Sequence, residues 1–228
     1  MESQLLRQGD NLSPLVKICG TTSVADAQIA ERAGADYLGV IIEHPPSPRN
    51  VDLTRAQEIS AAVETPVVAV TVNLSLERLL QINEELRPAA LQLHGDESPE
   101  IVRHLKEKAV LVWGVAAGTA EIVRQRAHEL TDAGADAIMV DVRLATPDGI
   151  IYGGTGQIGD WDVARELAES GMRVILAGGL TPENVGNAIS TASPWMVDVI
   201  SGVEAGKGEK DEEKVRRFVK MAQTCHPG

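Results

Sequence analysis

The sequence predicts an α/β fold, a single (βα)8 or TIM barrel, and three observations support this prediction. Eight short apolar runs recur along the 228 residues, and each is followed by a longer stretch with helical spacing. Such near-continuous apolar strands are typical of a parallel sheet that is buried on both faces. A chain of this length allows about 28 residues for each strand–helix unit, close to the minimum for a βα repeat. No linker rich in Pro, Gly or Ser divides the chain.

The predicted strands are apolar runs of five to seven residues. They lie at 15–19, 36–42, 67–72, 89–93, 109–115, 136–142, 173–177 and 196–200. Residues that favour helix N-termini precede several of the intervening helices. We assign Ser23, Thr54 and Ser75 as caps, and Thr181 with Pro182 as the start of a further helix.

Internal similarity and the lack of a linker define the domain organisation. The tetrapeptide Ala-Gly-Ala-Asp occurs at 33–36 and again at 133–136. It reflects either a duplicated half-barrel or a common helix–strand loop, and both interpretations favour repeated βα units. An open, doubly wound sheet is the alternative fold, but eight similar units without a strong dinucleotide fingerprint favour closure. We therefore predict an N-terminal extension over 1–14, the barrel over 15–222 and a C-terminal tail over 223–228.

Composition excludes several classes of partner. The chain carries 21 Lys and Arg against 33 Asp and Glu, a net charge of −12, so neither nucleic acid nor an anionic membrane surface is expected to bind it. Its two cysteines are too few for a disulfide scaffold, and the spacing of Cys and His gives no metal motif.

The chain has no signal-peptide pattern and no long apolar run, which predicts a cytoplasmic protein. The charged run at 209–217 is interpreted as the solvated start of the last helix.

Polar residues stand where the predicted strands end, which is the catalytic end of such a barrel. Cys19 follows the first strand and Arg49 lies in the loop after the second. His94 follows the fourth strand, Asp141 ends the sixth, and Asp198 lies near the end of the eighth. Because the carboxyl ends of parallel strands meet at one face, we expect these five side chains to form one site.

Each of these side chains has a plain structural interpretation beside the functional one. Cys19 is either a small buried hydrophobe or, opposite Asp141, a thiolate base. Asp141 is either a general acid or a partner that fixes an arginine. Arg49 is either a solvated loop residue or a clamp for a carboxylate. His94 either touches the substrate or makes a structural hydrogen bond to the loop of Asp96 and Glu97.

Glycine pairs predict a phosphate site at the same end. Gly178 and Gly179 follow the seventh strand, and Ser201 and Gly202 follow the eighth, where barrels bind phosphate through backbone N–H groups. Glycine allows the backbone to approach the anion closely and to adopt positive φ. In the sequence Gly-Gly-Thr-Gly at 153–156, Gly154 and Gly156 either join this cradle or serve as a hinge.

Taken together, these motifs resemble the phosphoribosylanthranilate isomerase family of the ribulose-phosphate-binding barrels. The resemblance extends from about residue 15 to 220. The matching pieces occur in the family's order: Lys-Ile-Cys-Gly at 17–20, Ser-Pro-Arg at 47–49, Gln-Leu-His-Gly-Asp-Glu at 92–97, Asp141, Gly-Gly-Thr-Gly at 153–156, Asp-Trp at 160–161, Leu-Ala-Gly-Gly-Leu at 176–180 with Pro-Glu-Asn-Val at 182–185, and Val-Asp at 197–198 with Ser-Gly-Val-Glu at 201–204.

The resemblance implies an Amadori rearrangement of a small phosphorylated sugar-amine in tryptophan biosynthesis, without a cofactor or a metal. It makes Asp141 the general acid and Cys19 the general base. Arg49 would hold the anthranilate carboxylate, Asp198 would orient the substrate, and the glycine loops would bind the phosphate. We expect a monomer or a homodimer.

The chain departs from the family's pattern near Gln157, Gly159 and Ile200, which border the aromatic end of the substrate. Two alternatives therefore stay open. One is a related phosphoribosyl or sugar-phosphate isomerase with a different amine substituent. The other is a barrel that binds phosphate esters without catalysis.

Overall fold

Eight parallel strands form a closed barrel in the computed structural model, which describes residues 13–141, 143–146, 149–152 and 161–225. The prediction of a TIM barrel is confirmed. The strands are β1 Leu15–Ile18, β2 Tyr37–Ile42, β3 Val67–Thr71, β4 Ala90–Leu93, β5 Val112–Ala117, β6 Ala137–Asp141, β7 Val174–Leu176 and β8 Met196–Val199. The predicted N-terminal extension lies outside the described residues except for its last two.

A helix follows each strand and covers the outside of the barrel. The helices are α1 Val24–Ala33, α2 Leu53–Ala61, α3 Leu76–Leu86, α4 Pro99–Glu107, α5 Ala120–Asp132, α6 Trp161–Glu169, α7 Val185–Ala192 and α8 Glu212–Thr224. None of the helices in the described part of the chain is both long and apolar enough to cross a lipid bilayer.

Closure of the barrel depends on the first strand. β1 pairs in parallel with β2 on one side and with β8 on the other, so the sheet has no free edge there and the open-sheet alternative is wrong. In the register of β1 with β8, Lys17 lies opposite Asp198. Two charged residues thus face each other in the middle of otherwise apolar strands.

Three short additions lie at the carboxyl end of the barrel. The strand Asn50–Val51 pairs with the end of β2. The segments Arg143–Thr146 and Gly149–Tyr152 form an antiparallel pair after β6. After β8, a 3-10 turn leads into a small antiparallel hairpin of Glu204–Gly206 and Glu209–Lys210, here called the β8 hairpin.

The helix caps agree with the sequence at two positions and differ at a third. The hydroxyls of Ser23 and Ser75 accept hydrogen bonds from backbone N–H groups in the first turns of α1 and α3, as predicted. The assignment of Thr54 is wrong, because α2 begins earlier and Asp52 caps it by accepting from the N–H of Arg55 at 2.7 Å. A carboxylate is as good an N-cap as a hydroxyl, so residue type alone does not decide between Asp52 and Thr54.

The fifth strand starts later than the predicted range of 109–115. The turn that ends α4 extends into this range: Ala109 has φ 57°, and the N–H of Val110 donates to the carbonyl of Leu105 at 3.2 Å. The left-handed residue closes the helix and delays the strand to Val112–Ala117.

Aliphatic side chains fill both layers of the core. Most of the buried residues lie between the strands and the helices, and a second cluster fills the amino-terminal half of the barrel. The second cluster includes Trp113, whose ring packs edge-on against Tyr37 and Trp195 at centroid distances of 5.3 and 6.0 Å. Half of the six aromatic residues in the chain therefore form one contact chain, at the end of the barrel away from the site.

Candidate active site

The five predicted site residues are brought together at the carboxyl end of the barrel, and all five side chains are buried. Cys19 directly follows β1, Asp198 lies in β8, and Asp141 is the last residue of β6. His94 directly follows β4, and Arg49 precedes the short strand beside β2. The expectation that residues distant in sequence share one face of the barrel is confirmed.

Cys19 lies in an enclosed position, with only 1% of its surface exposed. Its backbone N–H donates to the carbonyl of Val199 at 2.9 Å, which extends the pairing of β1 with β8 by one residue. Ile41 and Val70 pack against the side chain. Burial raises the pKa of the Cys19 thiol, while the nearby Lys17 ammonium acts in the opposite direction.

Lys17 is fully buried, and its role was not predicted from the sequence. Its Nζ donates to Oδ1 of Asp198 at 2.8 Å, and the ammonium also interacts with the Cys19 thiol. Burial lowers the pKa of Lys17, but Asp198 and Cys19 outweigh this effect, so that the pKa is raised and the lysine keeps its charge. A lysine within the apolar run at 15–19 was the available signal, since a buried lysine requires a partner.

Arg49 is held by a carboxylate of the protein itself. Its Nε and Nη2 donate to Oε1 and Oε2 of Glu204, both at 2.7 Å, and the pair is buried. Burial would raise the pKa of Glu204, but the Arg49 guanidinium and Lys210 together lower it. Glu204 stands in the Ser-Gly-Val-Glu motif, and its pairing with a residue 155 positions away was not predicted.

Lys210 lies at the end of the β8 hairpin and points under the site. Its Nζ donates to the backbone carbonyl of Cys19 at 2.6 Å and lies 3.5 Å from both Ile200 O and Glu204 Oε1. Burial lowers the pKa of Lys210, whose surface is only 4% exposed. The interpretation of 209–217 as entirely solvated is therefore wrong at this residue, because the hairpin turns its side chain inward.

Asp141 stands on the other side of the site, next to a histidine. Nε2 of His94 lies 3.2 Å from Oδ2 of Asp141, and Nδ1 of the same ring lies 2.9 Å from Nε2 of Gln92. His94 therefore bridges the Gln92 amide and the Asp141 carboxyl group. The Asp141 side chain is buried.

The ring of His94 thus bonds to Gln92 and Asp141, and not to the following loop as the structural interpretation proposed. In that loop, the Glu97 carboxylate accepts from the backbone N–H groups of Asn73 and Gly95 at 2.7 and 2.8 Å. Glu97 therefore serves the backbone of two loops, which leaves the histidine free to turn toward the sixth strand.

The loops after β7 and β8 pack closely against each other. Gly178 and Gly179 have φ values of 87° and 63°, in the left-handed region that favours glycine. A Cβ on Gly202 would lie 1.9 Å from the carbonyl oxygen of Leu180, so only glycine fits there. These glycines bring two stretches of backbone together beside the hydroxyl of Ser201.

The two loops line a cleft that also reaches Asp141 and Asp198. An anion held by backbone N–H groups in this cleft would thus lie beside the buried carboxyl groups. Gly154 and Gly156, the other two predicted phosphate ligands, lie outside the described residues.

Asn184 fixes the loop after β7 and was not singled out from the sequence. Its Nδ2 donates to the carbonyl of Gly179 at 2.9 Å, and its Oδ1 accepts from the N–H of Thr181 at 2.8 Å. Thr181 and Pro182 therefore belong to this turn, and α7 starts later than predicted, at Val185.

Comparison with known proteins agrees with this geometry. Residues 16–221 match the model of the family described as N-(5'phosphoribosyl)anthranilate (PRA) isomerase. A relative of that name from Trichlorobacter lovleyi is 39% identical over 210 residues, which cover 91% of this chain and 97% of the relative.

Solved structures of the same family superpose closely. Phosphoribosyl anthranilate isomerase from Thermotoga maritima has a TM-score of 0.81 at 34% identity, covering 92% of this chain and 98% of that one. A phosphoribosyl anthranilate isomerase in complex with reduced 1-(o-carboxyphenylamino)-1-deoxyribulose 5-phosphate has a TM-score of 0.78 at 32% identity, with the same coverage. The chain belongs to the N-(5'-phosphoribosyl)anthranilate isomerase family.

Proposed function

We propose that this chain isomerises N-(5-phosphoribosyl)anthranilate to 1-(o-carboxyphenylamino)-1-deoxyribulose 5-phosphate, the Amadori rearrangement of tryptophan biosynthesis. The observation that carries the proposal is the meeting of a buried thiol, a buried carboxyl group and a glycine-built anion cleft at one end of the barrel, in a chain of this family. The reaction moves protons within one molecule, so it needs one acid and one base and no outside oxidant.

In the first step, Asp141 acts as the general acid. Its proton passes to the furanose ring oxygen, the bond from C1′ to that oxygen breaks, and the lone pair of the anthranilate nitrogen forms a protonated Schiff base with C1′. The step requires the protonated form of the carboxyl group, and the Asp141 side chain is buried. His94, 3.2 Å away, holds the carboxyl group in place.

In the second step, the Cys19 thiolate acts as the general base. It removes the proton from C2′, the released electron pair forms a C1′–C2′ double bond, and the nitrogen regains its lone pair. The resulting enolamine tautomerises to the ketone. Cys19 can act on the substrate without leaving its buried position, because the carboxyl end of the barrel is where the sugar would lie.

Substrate binding uses two anion sites, one for each end of the substrate. We assign the phosphate to the backbone N–H groups of Gly178, Gly179 and Gly202, with Ser201 beside them. The anthranilate carboxylate goes to Arg49, whose side-on pair with Glu204 uses Nε and Nη2 and leaves the outer edge of the guanidinium for a second carboxylate. Glu204 would thus orient the arginine for its ligand.

The test is the decay of phosphoribosylanthranilate fluorescence on addition of the purified protein. We expect turnover by the parent chain, and a loss of at least about 100-fold in kcat in Cys19→Ala and in Asp141→Asn, because each removes a proton-transfer group. Cys225→Ala is the matched control, since it removes the other thiol at the end of the last helix and should leave the rate unchanged.

The outcomes separate the candidate functions. No decay with this substrate, together with turnover of another phosphoribosyl amine, would favour the related isomerase. Phosphate-ester binding without turnover of either would favour a binding barrel. Full activity in Cys19→Ala or Asp141→Asn would contradict the mechanism.

We further propose a cytoplasmic location and a monomeric or homodimeric state. Both cysteines within the described residues are free thiols, as in a reducing compartment. Cell fractionation and sedimentation of the full chain test these two points.

A further inference from the structure

We propose that Lys17 is a positioning residue for the catalytic base: held by Asp198, its ammonium fixes the Cys19 sulfur and stabilises the thiolate. The inference rests on the proposed function, since it concerns the base of that reaction. It also gives Asp198 a role through Lys17, in place of the direct contact with substrate that the sequence suggested.

The backbone places the two side chains together. Lys17 and Cys19 are two positions apart at the end of β1, so both point to the same side of the sheet, into the barrel. Gly39 of the neighbouring strand provides the space for them. A Cβ at Gly39 would lie 2.5 Å from Sγ of Cys19 and 3.0 Å from Nζ of Lys17. The Cys19 thiol and the Lys17 ammonium therefore both lie against the space that a side chain at Gly39 would fill.

The ammonium is held firmly and still has capacity to donate. A buried lysine is tolerated only with an opposite charge nearby, and Asp198 supplies it at 2.8 Å from the paired strand. An ammonium carries more N–H donors than one carboxylate oxygen can accept. A donor that Asp198 does not use is available to the sulfur of Cys19, with which Lys17 interacts.

The charges around Cys19 favour a negative sulfur. Three cations act on it: Lys17 from β1, Arg49 from the loop after β2, and Lys210 from the β8 hairpin. Asp198 neutralises the first. Glu204 pairs with Arg49 and is shared with Lys210, which leaves a positive surplus that a thiolate offsets.

The remaining neighbours do not cancel this surplus. Ile41, Val70 and Ile200 present apolar surface to Cys19. Asp26 packs against the β8 hairpin, where its carboxylate accepts from the backbone N–H of Lys210 and from the hydroxyl of Ser23, the N-cap of α1. Burial therefore raises the pKa of the Cys19 thiol, and the cations lower it. Removal of Lys17 takes away part of the lowering effect, so the pKa of the thiol should rise.

The experiment titrates the thiol directly, without relying on turnover. The ultraviolet absorbance of the thiolate is followed against pH in full-length Cys225→Ala, with Cys19→Ser on that background subtracted. We expect Lys17→Met to raise the midpoint by at least about one pH unit, which is a tenfold loss of thiolate at a given pH below the midpoint. The rising limb of kcat/KM against pH should shift upward by the same amount, with little change in KM.

A matched control removes another lysine–aspartate pair. Nζ of Lys106 lies 2.6 Å from Oδ2 of Asp136 at the opposite end of the barrel. Lys106→Met should leave the midpoint unchanged. An unchanged midpoint in folded Lys17→Met would overturn the proposal.

Asp198→Asn provides a second test that keeps Lys17 and nearly preserves shape. If Asp198 acts on the sulfur only as a nearby negative charge, its removal lowers the thiol midpoint. If it acts by holding a charged Lys17, as proposed, its removal leaves a buried ammonium without a counter-charge, the lysine loses its proton, and the midpoint rises. A lowered midpoint would contradict the proposal even if Lys17→Met does not fold.

The proposed function and this inference fail separately. A midpoint that depends on Lys17 in a protein that does not turn over phosphoribosylanthranilate would retain the inference about the thiol and reject the substrate. Turnover by the parent, together with a thiol midpoint that Lys17→Met leaves unchanged, would support the substrate and reject the inference about the thiol.

Discussion

The two sides of the candidate active site are built differently. Around Cys19, charged side chains from β1, β8, the loop after β2 and the β8 hairpin form a dense, buried network. Beside Asp141, the described contacts run from the carboxyl group to the ring of His94 and on to the amide of Gln92. The described contacts of Cys19 thus include several ion pairs between side chains, whereas those of Asp141 run through His94 to an amide.

This difference matches what each group has to do. A thiol that must lose its proton benefits from nearby cations, which stabilise the thiolate against burial. The proposed acid, Asp141, is buried and lies beside the ring of His94. At Cys19 the cations thus oppose burial without cancelling it, and the pKa of the thiol stays raised.

The largest effect is expected from Lys210, which supports the base side from below. Lys210→Met leaves the carbonyl of Cys19 without its donor and removes one partner of Glu204, so we expect a loss of about 3 kcal/mol in the free energy of unfolding. Urea unfolding measures it. Lys106→Met, which breaks a partly exposed pair, should cost no more than about 1 kcal/mol of that free energy. Equal losses of unfolding free energy in the two variants would show that the network around Cys19 stabilises the fold no more than the Lys106–Asp136 pair does.

A smaller effect is expected beside Asp141, where the contact with His94 is lost. His94→Asn removes the ring that holds Asp141, and we expect kcat to fall about tenfold with KM unchanged, below the loss from removing the acid itself. Steady-state kinetics measure it. His104→Asn is the control, because His104 is exposed on α4 and contacts only its own helix. A loss as large as in Asp141→Asn would make His94 part of the acid.

The smallest difference to detect is in the pH dependence. Because burial raises the pKa of Cys19 despite the cations, the fraction of thiolate should grow with pH through the neutral range and beyond about 8.5, the ordinary value for a cysteine. The base-dependent limb of kcat/KM should therefore rise into alkaline pH. A limb that is already flat at pH 7 would mean that the cations outweigh burial.

The sequence predicted the fold through features that are local in the chain. Apolar runs and helix signals depend on neighbouring residues, so seven strands lie near their predicted positions. The fifth was shifted because Ala109, an ordinary alanine, adopts a left-handed conformation that composition does not mark. Cys19 and Asp141 were predictable for a related reason: residues at strand ends meet at one face in any barrel.

The charged partners in the site were not predictable in the same way. Lys17 meets Asp198 across 181 residues, and Arg49 meets Glu204 across 155. Which lysine faces which aspartate depends on the register of β1 against β8, and register is a property of the closed sheet. Lys210 was misread because its sequence neighbours are solvated, while the β8 hairpin alone turns it inward.

The pairing of β1 with β8 also has a consequence for when the protein becomes chemically competent. β1 leaves the ribosome before β8, and Lys17 and Cys19 must wait for β8 and its hairpin before their counter-charges exist. Until then Cys19 is an ordinary thiol on an unfinished sheet. Reactivity toward the sugar thus emerges only when β1 pairs with β8, which makes turnover a direct report of barrel closure.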